Sequence, residues 1–219
     1  MEVDVLSHDG VIRTVLLSGV ILPHEKAGFA IFKDFSATAP SHRRMREIAH
    51  QDDLTGIANR RGLRERWQVE MHSDPESPVA FLMLDLDDFK PVNDHHGHAV
   101  GDAVLRVVAK RLADAVRQTD LVCRLGGDEF GILLVAPGDQ HRIEMVCNRI
   151  LQSIAEPINV NGLVVCVQAS IGGCRYPDQA RDKREMLQRA DLALYRGKQV
   201  GKKGSWQWFG DALVSTPNS

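Results

Sequence analysis

The sequence predicts an α/β or α+β domain in which helices pack on a sheet of about five strands. Three observations carry that prediction. From Asp52 onward, segments with helical periodicity alternate with apolar, strand-like runs. Hydrophobic residues at 43% and charged residues at 26% of the 219 positions match a packed core under a solvated surface, which sets aside disordered, collagenous and coiled-coil chains. No internal repeat or low-complexity tract interrupts the pattern.

The elements follow in order. Residues 11–22, VIRTVLLSGVIL, and 28–36, GFAIFKDFS, are rich in Val, Ile, Leu and Phe and read as two strands separated by the turn-like PHEKAG. After Pro40, Ser41 can cap a short connecting helix that puts Met45, Ile48 and Ala49 on one face. Leu63, Trp67 and Met71 recur at i, i+4 and i+8 and mark a helix, and VAFLMLDL over 79–86 suits a strand buried on both faces. A longer helix spans Val100 to Val116, with Val104, Leu105, Val108, Leu112 and Val116 turned inward. DLVCRL (120–125) and FGILLV (130–135) form a hairpin around Gly126, Gly127, Asp128 and Glu129. Ile143, Val146, Cys147, Ile150, Leu151 and Ile154 define the next helix. A strand over 163–172, a helix from Met186 to Gln199 and a strand over 205–209 complete the chain.

Charge and cysteine usage bound the function. Lys and Arg total 27 against 29 Asp and Glu, a net charge of -2, so the chain lacks the basic surplus of a general nucleic-acid binder and any phosphate site must be local. Cys123, Cys147, Cys166 and Cys174 are too far apart for a CxxC pair and read as buried free thiols of a reducing compartment. MEVDVLSHDG has no basic segment ahead of an apolar one, and VLLSGVIL is far short of the roughly 20 residues that span a bilayer. A cytoplasmic protein with no membrane segment is expected.

Three groups of acids stand out: Asp85, Asp87 and Asp88 at the end of an apolar strand, Asp128 and Glu129 in the hairpin, and Asp102 in a helix's first turn. If the hairpin lies beside that strand, Asp85 and Asp128 meet at one sheet edge. Close carboxylates repel unless a cation lies between them, and hard oxygen ligands suit Mg²⁺ or Mn²⁺. The same residues also serve as turn formers or solvated charges, and spacing alone does not separate the two readings. Lys90, Lys198, Lys202 and Lys203 add positive charge nearby, and Gly126 and Gly127 admit a phosphate close to the backbone. Taken alone, Lys202 and Lys203 read as a solvated surface pair. His95, His96 and His98 fall outside zinc spacings. P-loop, dinucleotide and GxSxG signatures are absent. Asn93 and Asp102 are either a turn residue and a helix-start acid or a guanine clamp, since a carboxylate accepts both guanine N1–H and its 2-amino group. Arg117 to Asp120 is most simply a basic helix end and a turn.

Taken together, DLTGIANRR (53–61), DLDDFKPVNDHHGHAVGD (85–102), RLGGDEF (124–130), SIGG (170–173) and ADLALYRGKQVGK (190–202) resemble, in order and spacing, the GGDEF domain of diguanylate cyclases. The resemblance covers roughly residues 50 to 210. It implies a central, mostly antiparallel sheet of about five strands surrounded by helices, similar to nucleotidyl cyclases and polymerase palms. The implied activity condenses two GTP into cyclic di-GMP and releases two pyrophosphates. It would depend on Mg²⁺ or Mn²⁺, act at a homodimer interface, and serve signalling in biofilm and motility control.

Position by position, the resemblance implies that Asp85, the Leu86 carbonyl, Asp128 and Glu129 serve the metal. Asp128, Glu129 and Lys90 would be catalytic. Asn93 and Asp102 would hold guanine, with His98 in the same pocket. Lys198, Lys202 and the backbone at Asp88 and Phe89 would hold the triphosphate, over Gly126 and Gly127. Arg117 and Asp120 match an RxxD site for inhibition by cyclic di-GMP. Lys202 stands where Arg is usual, which keeps the charge without the bidentate fork. Residues 1–39 resemble the end of a PAS sensor domain, 40–51 the connecting helix, 52–212 the catalytic domain and 213–219 a disordered tail. The competing functions are a GGDEF receptor without catalysis, a cyclase making an adenine-containing dinucleotide, and an interaction module. An intact RLGGDEF, Asp102 and the acid groups argue against them in turn.

Overall fold

The structure, a computed structural model, describes residues 2–6, 8, 12–22, 27–34, 49–74, 77–199 and 203–210. It divides into two compact units, Met1–Ala49 and His50–Ser219. Most of the connecting-helix segment, Lys202 and the C-terminal tail lie outside the described residues.

The first unit is an antiparallel sheet of β1 (Glu2–Leu6), β2 (Ile12–Leu22) and β3 (Ala27–Asp34), with β2 in the middle. The sequence predicts β2 and β3 but not β1. EVDVL alternates apolar and acidic residues at period two, a strand signal that its shortness and two carboxylates conceal.

In the second unit the order is α1 (Arg60–Ser73), β4 (Val79–Asp87), α2 (Phe89–His96), α3 (His98–Asp114), β5 (Leu121–Gly126), β6 (Glu129–Val135) and α4 (Gln140–Ala155). Then come β7 (Ile158–Val160), β8 (Leu163–Val165), β9 (Gln168–Tyr176), α5 (Lys183–Gln199) and β10 (Trp206–Trp208). The main sheet has five strands in the order β10-β9-β4-β6-β5. Only β10 and β9 run parallel; the other pairs are antiparallel, as expected.

The two sides of β4 explain the layers. Ala80, Leu82, Leu84 and Leu86 join a core with Val104, Val108 and Leu112 of α3 and Ile143, Ile150 and Ile154 of α4. Val79 and Phe81 join a second core with Leu63 and Trp67 of α1 and Met186 and Ala190 of α5. A strand covered on both faces needs an unbroken apolar run, and 79–84 supplies one. Gly172 of β9 lets α5 settle on the sheet: a Cβ there would come 2.2 Å from the Ala190 carbonyl oxygen and 2.3 Å from the Leu194 nitrogen.

Three segments differ from the expectation. The predicted strand 163–172 is two strands, because β8 turns back on β7 through Asn161 and Gly162, both at positive φ. An Asn-Gly pair between apolar residues is the signal for that hairpin. The helix at Val100 begins earlier, at His98, and is preceded by the short α2, whose Pro91 is tolerated in a first turn. Cys123, Cys147 and Cys174 are buried free thiols, but Cys166 is exposed. Burial pushes the Cys123 and Cys147 thiols up to about 12, so neither is a nucleophile at neutral pH. Among the described residues no helix is long and apolar enough to cross a membrane.

Candidate active site at the end of the central strand

Asp85 and Asp87 continue the side of β4 that carries Val79 and Phe81, so the strand's period of two aims both carboxylates toward α5. Asp85 lies opposite Glu129 of β6 on one side and Ser170 of β9 on the other. The hairpin turns through Gly127 at φ 55, and the Asp128 carbonyl accepts a hydrogen bond from the Leu86 N–H at 3.3 Å. The structure thus brings Asp85, Leu86, Asp128 and Glu129 to one sheet edge, as expected.

Lys198, at the end of α5, forms an ion pair with Asp85, and its Nζ is 3.8 Å from Asp87 Oδ1. Burial pushes the Asp85 carboxyl above its ordinary value. Lys198 pulls it back, while the charges of Asp128 and Asp87 push it further up. Such an edge favours a cation, and the lysine ammonium supplies one. Among the described residues no three His, Cys, Asp or Glu side chains converge as around a fully protein-bound ion. Mg²⁺ does not require that, since it is commonly held by one or two carboxylates together with substrate phosphates. Asp85, Asp128 and the Leu86 carbonyl fit such a partial donor set.

Asp87 and Asp88 play different parts. Asp87 is buried and accepts the Ser170 hydroxyl at 2.8 Å and the Gly204 N–H at 2.9 Å. Asp88 is exposed, takes a left-handed conformation at φ 53 that turns the chain into α2, and forms an ion pair with Lys203. Lys203 is therefore on the surface, as expected, but bound to a member of the acid group. Phe89 is buried beneath this turn, and Lys90 is exposed in the first turn of α2.

Asn93 of α2 and Asp102, just past the first turn of α3, are half-buried, and His98 is exposed. The two helices meet where a Cβ on Gly101 would fall 1.9 Å from Asn93 Oδ1. Gly101 therefore brings the Asn93 amide beside the turn that carries Asp102. Gly101 was not among the expected site residues.

A second layer holds the hairpin. Arg124 donates from Nε and Nη2 to the Gly127 carbonyl at 3.0 and 2.8 Å and from Nη1 to Asp52 at 3.1 Å. Burial raises the Asp52 carboxyl, but Thr55 and Arg124 together outweigh it and hold Asp52 below its ordinary value. Arg60 donates to the Leu125 carbonyl and lies 3.6 Å from Glu129. None of Asp52, Thr55, Arg60 or Arg124 was expected as a site residue. The Asp-x-x-Thr spacing, which closes a side-chain turn, was the available signal.

Arg117 and Asp120 sit at the start of β5, roughly 20 Å from the hairpin by strand rise. They line a cavity of about 390 Å³ that Arg142, Met145 and Arg149 also border. Asp120 accepts the Arg117 backbone N–H at 3.0 Å and the Val135 N–H at 3.1 Å, which fixes the turn and leaves the Arg117 side chain exposed.

Comparison with known proteins agrees with this fold. A family profile described as "Diguanylate cyclase, GGDEF domain" matches residues 49–204. Diguanylate cyclase TpbB of Pseudomonas aeruginosa is 36% identical over 157 residues, covering 70% of this chain and 36% of TpbB. MucR, a bifunctional diguanylate cyclase and cyclic di-GMP phosphodiesterase of the same species, is 33% identical over 77% of this chain and 25% of MucR. The chain therefore spans 36% or less of the length of each of these relatives. The crystal structure of the GGDEF domain of TpbB superposes with a TM-score of 0.68 at 34% identity, covering 72% of this chain and 99% of that one. A sensory box/GGDEF family protein from Caulobacter crescentus gives 0.64 at 37% identity, covering 69% and 99%.

Proposed function

The chain belongs to the diguanylate cyclase GGDEF domain family, and on that premise we propose that it condenses two GTP into cyclic di-GMP with release of two pyrophosphates. The observation that carries the reading is the Asp85 edge, where a half-buried carboxyl raised by burial and by neighbouring acids faces the hairpin and holds a lysine ammonium. A cation site of that kind, beside lysines and a Gly-Gly turn, suits a nucleoside triphosphate.

Asn93 and Asp102 hold guanine, with His98 at the pocket's rim. Lys90, Lys198 and Lys202 bind the triphosphate together with the amides of Asp88 and Phe89, and Gly126 and Gly127 let it lie over the hairpin. Bound by Asp85, Leu86 and Asp128, Mg²⁺ or Mn²⁺ would supply Lewis-acid polarisation of the α-phosphate and neutralise the leaving pyrophosphate. In each half-reaction the 3′-oxygen of one GTP forms a bond to the α-phosphorus of the other, and the bond to pyrophosphate breaks. Asp128 or Glu129 accepts the hydroxyl proton.

One domain presents half of this centre, so two copies face each other across a two-fold axis. Cyclic di-GMP returns to Arg117 and Asp120 as an inhibitor. The domain works in the cytoplasm, and the N-terminal sheet is read as the end of a PAS-like sensor. Purified protein incubated with GTP and Mg²⁺ tests the proposal. A product with the mass of cyclic di-GMP is expected, whereas GTP that binds and stays intact would make the domain a receptor.

A further inference from the structure

Resting on that reading, we infer that Asp87 is a positioning residue that fastens the triphosphate end of the site without touching the metal. In sequence Asp87 belongs to the same acid group as Asp85, two residues beyond it on the same side of β4. Its surroundings give it another part.

The Asp87 side chain is 4% exposed, which leaves no face open to a hydrated cation. Its oxygens are already engaged. The Ser170 hydroxyl lies 2.8 Å from Oδ1 and 3.0 Å from Oδ2, and Oδ2 also accepts the Gly204 N–H at 2.9 Å. These bonds join three separate pieces of chain: the end of β4, the first part of β9 and the segment leading from α5 to β10. That segment is pinned again one residue later, where the Ser205 carbonyl accepts the Ile171 N–H at 2.9 Å. Lys203, adjacent to Gly204, pairs with Asp88, adjacent to Asp87. Lys198 lies at the other end of the same connection, 3.8 Å from Asp87. Asp87 thus forms a buried clasp beside Lys198, which pairs with Asp85, and ties the segment carrying Lys203, which pairs with Asp88, to the end of β4, while Ser170 keeps its carboxylate oriented. A buried carboxylate satisfied this way resists moving, because any displacement leaves it unpaired in a poorly solvated place.

The test compares Asp87→Asn and Ser170→Ala with Asp85→Asn, measuring binding of GTP and of guanosine in Mg²⁺, and GTP turnover as Mg²⁺ is varied. Loss of an orienting contact behind a binding group typically costs about tenfold or more. The expected result is GTP binding weakened about tenfold with guanosine binding unchanged, and an unaltered Mg²⁺ midpoint for turnover. Ser170→Thr, which keeps the hydroxyl, should restore binding that Ser170→Ala loses. If Asp87→Asn does not fold, Ser170→Ala alone decides. The inference is overturned if GTP and guanosine weaken together, if neither weakens, or if the Mg²⁺ midpoint shifts as in Asp85→Asn, which would make Asp87 a ligand. Wild-type protein that fails to bind GTP would instead overturn the proposed function.

Discussion

Lys198 at the end of α5 and Asp85 at the end of β4 form an ion pair across the sheet edge where a cation is expected. The ammonium and a divalent ion therefore compete for one carboxylate. Replacing Lys198 with Met removes the competitor, so in the absence of nucleotide Mn²⁺ should bind about tenfold more tightly, as a change of roughly 1.4 kcal/mol would give. GTP turnover should fall because a phosphate ligand is lost. Calorimetric titration with Mn²⁺ checks the first effect, and unchanged affinity would show that Lys198 does not occupy the cation's place.

Gly172 is the contact that sets where α5, and with it Lys198, lies on the sheet. Gly172→Ala places a Cβ 2.2 Å from a backbone oxygen that has no side-chain freedom to yield. A loss of about 1–3 kcal/mol in stability is expected from overpacking, measured by urea unfolding, together with weaker GTP binding. A variant as stable as the wild type would contradict the close packing.

Much of this arrangement was legible in the sequence, and the reasons differ by residue. Asp85 could be placed because an apolar run ends there, and Asp128 because consecutive glycines and an acid between two strands make a hairpin. Both are local signals. Asp87 received no role of its own from the sequence, where spacing only grouped it with Asp85, because its role depends on Ser170 and Gly204, 83 and 117 positions away. Arg124 is likewise defined by Asp52, 72 positions earlier. The missed α2 is short and carries a proline, and the split of 163–172 turned on an Asn-Gly pair hidden before a long apolar run. No periodicity argument reaches contacts of that range.

Gly101 governs the guanine side. Gly101→Ala would drive a Cβ to within 1.9 Å of Asn93 Oδ1 and swing that amide away. Because the Asn93 amide is proposed to read the guanine edge that Asp102 does not, where adenine carries an amino group in place of O6, the preference for GTP over ATP should fall, by a factor on the order of ten for one lost hydrogen bond to the base. Competition binding of the two nucleotides measures it. An unchanged preference would remove Asn93 from the guanine site.

The Asp52 and Arg124 pair gives a pH-dependent contribution to stability. The Asp52 carboxyl is held below its ordinary value of 3.8 in the fold, so its stabilising effect is present above that value and is lost as pH falls through the lower folded-state value. At neutral pH Asp52→Asn should cost about 2 kcal/mol, the range for a hydrogen-bonded charged group. The gap between variant and wild type should close in acid below 3.8. Urea unfolding at several pH values tests this, and a gap independent of pH would mean that Asp52 acts without its charge.

The edge formed by Asp85 and the hairpin is proposed to join two GTP. Pyrophosphate release and the mass of the nucleotide product, followed together for wild-type protein and for Asp128→Ala with GTP and Mg²⁺, test it most directly. Two pyrophosphates for each cyclic di-GMP are expected from the wild type and neither product from the variant. Wild-type turnover by Asp128→Ala, or a wild-type protein that leaves GTP intact, would contradict it.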